Sequence, residues 1–95
     1  MLDEASLEKI AERLTIVREV QGLTQTEFSS RAGINKNAWN NYERARKRIN
    51  LEAAIRLVAT FELTLDYIYL GDTSNLKYRL SAAIEAVRDQ RKKTR

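Results

Sequence analysis

The 95-residue chain is 43% hydrophobic with no Pro and only three Gly, enough apolar material for one modest core and too little punctuation for hairpins, so the expected class is all-α. It has no Cys and no His, which removes thiol nucleophiles, imidazole bases and the usual soft-metal ligands; its carboxylates are scattered and no Gly-rich phosphate loop occurs, so no enzyme activity, metal or cofactor is expected. Seventeen Lys and Arg against thirteen Asp and Glu give a net charge of +4 and a pI near 9.6, which admits a polyanionic partner, while short apolar stretches and the acidic start Met1-Leu2-Asp3-Glu4 predict a cytoplasmic chain without membrane span or secretory signal.

Leu7, Ile10, Leu14 and Val17 recur at three- and four-residue spacing and predict a first helix over 7–20, ending at Gly22. Thr24-Gln25-Thr26-Glu27 reads as a capping box: the Thr24 hydroxyl can accept from the Glu27 amide, and the Glu27 side chain can reach back to residue 24. The second helix that starts there runs to about Arg31 and stops at Ala32-Gly33, where glycine can turn left-handed without a side-chain clash. Asn35 is suited to cap a third helix over 36–43. After a basic loop, Asn50 caps a fourth helix in which Leu51, Ala54, Ile55 and Val58 share a face, and Phe61 and Leu63 continue that core. Thr64 caps a short fifth helix, Leu65 to Leu70, closed by Gly71. Ser74 or Asn75 opens a last helix with Leu76, Leu80, Ala83, Ile84 and Val87 on one side, and the tail Arg91-Lys92-Lys93-Thr94-Arg95, which loses the apolar period, is expected to fray.

Two short helices joined by a tight glycine turn form a helix-turn-helix, whose close crossing limits side-chain size at particular positions. Ser29 and Gly33 meet those limits, and Phe28, Ile34 and Trp39 can close the apolar wedge beneath. A glycine between helices also suits an ordinary helical hairpin; the capping box, the small Ser29 and an unusually polar third helix favour DNA. That helix reads Lys36-Asn37-Ala38-Trp39-Asn40-Asn41-Tyr42-Glu43, so with Trp39 and Tyr42 inward, Lys36, Asn37, Asn40 and Asn41 face out. An Asn amide offers adenine a donor and an acceptor at once, and Lys can reach guanine O6 and N7. Arg44, Arg46, Lys47 and Arg48 follow directly and can neutralise phosphates beside the groove, although a basic run alone is usually a solvated loop.

Arg13-Leu14 and Arg18, Gly22-Leu23-Thr24-Gln25, Glu27-Phe28, Ala32-Gly33-Ile34, Tyr42-Glu43-Arg44, the Leu51–Phe61 helix and Leu65-Asp66-Tyr67-Ile68 stand in the order of a known pattern. Over residues 10–71 the chain resembles the phage-repressor and Cro-like helix-turn-helix family, also called the xenobiotic-response-element type. The resemblance implies a lambda-repressor-like five-helix DNA-binding domain, with the third helix in the major groove of double-stranded DNA, and here an additional C-terminal helix. By position it implies Lys36, Asn37 and Asn41 as base readers, Gln25 as a phosphate contact at the start of the second helix, and a structural salt bridge between Arg18 and Glu43. Asn40 is expected at a phosphate or the groove edge. The chain departs from the pattern at Ala45, where a Gly usually follows the third helix, at Glu62, where a Gly often ends the fourth, at Ile49, where Pro is common, and at Trp39, which replaces a β-branched residue.

One small domain covers about one half-site, so a homodimer is expected. The chain divides into a helix-turn-helix domain over 1–73 and a C-terminal helix and basic tail over 74–95. Leu76, Leu80, Ile84 and Val87 are the candidate dimer stripe, with covering of the chain's own core as the alternative. The leading functional expectation is a transcriptional repressor; the others are an antitoxin that binds a toxin protein and its own operator, and a helical accessory protein with no DNA role.

Overall fold

Six α-helices, preceded by a 3-10 turn at Asp3–Ala5, make up residues 3–93, which the computed structural model describes; no strand occurs among them. They are α1 (Leu7–Gln21), α2 (Gln25–Ala32), α3 (Lys36–Glu43), α4 (Leu51–Phe61), α5 (Leu65–Leu70) and α6 (Tyr78–Lys93). The fold is thus all-α, five helices followed by a C-terminal one. No helix among the described residues is long and apolar enough to cross a membrane.

Local side-chain chemistry sets most of the boundaries. Ser6, Thr24, Asn35, Asn50 and Thr64 each precede a helix, and each side-chain oxygen accepts the backbone N–H three residues on, at 2.8–3.2 Å. A cap of this kind stabilises a helix by about 1 kcal/mol. At Thr24 the bond is reciprocated, the Glu27 carboxylate accepting the Thr24 N–H at 2.9 Å. Two helix ends are unusual, because Ala45 and Glu62 hold left-handed backbone with φ of 58° each. They stand where the family pattern has Gly, so the geometry is kept without the residue that adopts it at no steric cost.

The core is built around α1, whose Ile10, Leu14 and Val17 are almost completely enclosed together with Phe28, Trp39, Leu57, Tyr67, Ile68 and Ile84. Arg13 falls in step with that apolar stripe and is buried too. Its guanidinium donates to the Ile68 carbonyl at 3.0 Å and to the Glu4 carboxylate at 2.7 Å, fastening α5 and the N-terminal turn to α1.

Two expectations are corrected, and a third, left open between two roles, is seen in one of them. In α4 the inward residues are Ala53, Ala54, Leu57 and Phe61, with Val58 packed against them, whereas Leu51 and Ile55 are 57% and 51% exposed, so of the face assigned from spacing Ala54 and Val58 turn inward and Leu51 and Ile55 do not. The last helix begins at Tyr78: Ser74 donates its N–H and hydroxyl to Asp72, closing a turn instead of capping a helix. The stripe offered for dimerisation is applied to the chain's own core. Leu76 and Ile84 are buried there and Leu80 and Val87 pack on it, because α6 lies along α1 and needs that stripe to cover it. Of the tail expected to fray, Arg91 to Lys93 are helical, while Thr94 and Arg95 lie outside the described residues.

Candidate nucleic-acid interface

α2 and α3 cross over a turn closed by Ile34 N–H donating to the Ser29 carbonyl at 2.9 Å. Ser29 is enclosed at the crossing, and Gly33 takes φ of 72°, which disfavours any side chain there. A Cβ on Gly33 would also lie 3.0 Å from Arg56 Nη1, showing that α4 reaches this turn. Beneath it, Phe28 stacks on Phe61 at 4.2 Å between ring centroids and lies 4.7 Å from Trp39, while Tyr42 meets Trp39 edge-on. These rings anchor the inner face of α3. Lys36 and Asn37 are left exposed and Asn41 half-buried at the surface.

The end of α3 is shaped by Ala45. Its N–H donates to the Tyr42 carbonyl at 3.3 Å and the Arg46 N–H to that of Asn41 at 3.0 Å, the bond pattern of a left-handed helix end. The basic loop that follows is not slack. Ile49 is buried, and the Tyr69 hydroxyl holds its carbonyl at 2.9 Å. Burial, with a smaller push from Tyr42, raises the Tyr69 pKa, so this hydroxyl remains a donor.

Five donor contacts converge on the Glu43 carboxylate, two of them from Arg18 and three from other residues. Arg18 donates through Nε at 2.7 Å and Nη2 at 3.1 Å, Thr15 through its hydroxyl at 3.1 Å, Gln25 through Nε2 at 3.2 Å, and Trp39 through its indole N–H. Burial alone pushes the Glu43 carboxyl upward and is the largest single influence, but bonds from Arg18, Gln25 and Trp39 with the Arg18 charge outweigh it and hold Glu43 below the usual carboxylate range. Arg18 is raised by the same partnership. One carboxylate therefore joins α1, α2 and α3. The resemblance supplied the Arg18–Glu43 pair; the shares of Thr15, Gln25 and Trp39 were missed, and the sequence carries no local signal for them.

The predicted phosphate contacts divide. Gln25 is half-buried between Glu43 and Asn40, with Asn40 Nδ2 donating to Gln25 Oε1 at 3.0 Å. Asn40, expected at a phosphate or the groove edge, therefore has its amide turned onto α2. Arg48 donates to the Ala5 carbonyl and is directed toward the N-terminal turn. Arg44, Arg46 and Lys47 are exposed, like Lys36, and none of these four side chains has a hydrogen bond or ion pair with another described residue. Residues 24–48 hold six Lys and Arg against two Asp and Glu, and both acids are taken up by local partners: Glu27 by the surface capping box and Glu43 by its cluster of donors.

Residues 9–66, well over half of the chain, match the family model of a helix-turn-helix domain. No match is found among curated proteins or among solved structures.

Proposed function

Since this chain belongs to the helix-turn-helix domain family, we propose that it is a sequence-specific double-stranded DNA-binding regulator of the phage-repressor and Cro-like type, a repressor acting in the cytoplasm as a homodimer on a palindromic operator. The observation that carries this reading is the outer face of α3: Lys36, Asn37 and Asn41 stand over an anchored aromatic seat, beside exposed Arg44, Arg46 and Lys47 that no acid answers. Amide and ammonium groups on a helix can read base edges in the major groove, and flanking cations release counterions from the phosphates. The function is one of binding, with no catalytic step. The second copy would meet apolar surface other than the tail stripe, and exposed Leu51 and Ile55 of α4 offer it. The same pair favours a second reading, an antitoxin that also holds a toxin protein.

Selection from random duplexes tests the first reading. Enrichment of a palindrome with half-sites about 34 Å apart is expected, and light scattering of the complex should show two chains. Log affinity should fall linearly with log salt, and Arg46→Ala or Lys47→Ala should each lower that slope by about 1. Recovery of no sequence, together with binding that ignores salt, would sink the proposal.

A further inference from the structure

We propose that Asn40 is a positioning residue, which with Glu43 fixes the Gln25 amide in the one orientation that leaves an N–H available to a DNA phosphate. The inference rests on the DNA-binding reading above and assigns Asn40 a role that works through its neighbour. A carboxylate only accepts, so Gln25 must present Nε2 to Glu43, as it does at 3.2 Å. Asn40 presents its own Nδ2, so Gln25 must turn Oε1 toward it, as it does at 3.0 Å. A flipped Gln25 amide would set oxygen against carboxylate and N–H against N–H. Of the two Nε2 hydrogens, one is engaged by Glu43 and the other has no partner among the described residues. Gln25 is also the first residue of α2, where unsatisfied backbone N–H groups favour an anion. The terminal torsion of a Gln side chain is broad, so without Asn40 the amide swings and must be ordered anew on binding. The phosphate donor of α2 is thereby set from α3, the helix that reads bases.

A double-mutant cycle on the full chain, using a duplex recovered by selection, reads this out. Asn40→Ala should weaken binding about tenfold, nearly as much as Gln25→Ala, and by nothing further in the Gln25→Ala background. Asn40→Asp, which opposes Gln25 Oε1 with a second acceptor, should be worse than Asn40→Ala. The same loss from Asn40→Ala in both backgrounds would overturn the proposal, since Asn40 would then touch DNA itself; no loss in either would overturn it too. Because Ala is the better helix former, folding is not at risk, and equal melting temperatures verify it. The side-chain ¹⁵N–¹H signals of Gln25 supply a readout without DNA. In the free chain its two amide protons should be widely split by the neighbouring carboxylate, and Asn40→Ala should collapse that splitting; signals that do not move overturn the proposal. This arm answers even if no duplex is ever bound, so failure of the functional reading and failure of the positioning role are told apart.

Discussion

Residues 24–48 and 78–95 carry the same charge, six Lys and Arg against two Asp and Glu in each, and they use it in opposite ways. In α6 two of the cations are answered by acids, Arg88 by Glu85 at 3.3 Å and Arg91 by Glu19 of α1 at 3.0 Å, all about half exposed. In the α2–α3 unit and the loop after it both acids are held by local partners, and Lys36, Arg44, Arg46 and Lys47 face water with no hydrogen bond or ion pair from their side chains among the described residues. Net charge therefore does not locate an interface; the placement of the acids does. The two regions also differ in anchoring. Glu43 ties three helices together from a side chain 5% exposed, whereas α6 has no side-chain cap and one fully enclosed residue, Ile84.

The sharpest way to break this contrast is to delete one acid-base partner on each side. Glu43→Ala leaves Arg18, Trp39, Gln25 and Thr15 without their acceptor and should cost about 3–5 kcal/mol in urea unfolding. Arg91→Ala, in an exposed pair, should cost about 0–1 kcal/mol. Equal losses would mean that the carboxylate cluster contributes no more than a surface ion pair.

A smaller effect, of opposite sign, is expected at the end of α3. Ala45→Gly removes the left-handed penalty of a Cβ and should stabilise the chain by about 1 kcal/mol, raising the melting temperature by roughly 4–8 °C. Glu62→Gly is a poorer trade, since it also removes the Lys77 ion pair. A melting temperature unchanged by Ala45→Gly would show that the position is relaxed as it stands.

The last difference is one of pH. The folded Glu43 carboxyl titrates below its unfolded counterpart, so its contribution is fully present above the unfolded carboxylate range and disappears as pH falls through the folded value. Glu43→Gln cannot gain that proton, and its stability should fall less steeply below about pH 4.5. Parallel stability curves for the two chains would remove Glu43 from the acid response.

What could be read from the sequence was mostly local. Thr24, Asn35, Asn50 and Thr64 act on amides three residues away, so these helix starts were legible, as was the glycine turn at Gly33. The face of α4 was legible only in part: Ala54 and Val58 turn inward as spacing suggests, but Leu51 and Ile55 share that spacing with Leu57 and Phe61, and only the position of the rest of the core chooses between them. Ser74 was misread as a cap because Asp72, two residues before it, competes for its N–H and hydroxyl. In the candidate site, the exposure of Lys36 and Asn37 followed from where Trp39 and Tyr42 must go. The bonds among Thr15, Gln25, Asn40 and Glu43 span up to 28 residues and have no sequence period. Arg13 was the avoidable omission, since its place between Ile10, Leu14 and Val17 marks it as buried.

Trp39 is the chain's only tryptophan, and its indole N–H rests on the carboxylate that also holds Gln25. The molecule thus contains its own optical reporter, with no dye to attach. Any event that loosens α3 from α1 and α2 must alter the polarity around that indole, so with excitation beyond the tyrosine band the emission colour follows the seat of the third helix.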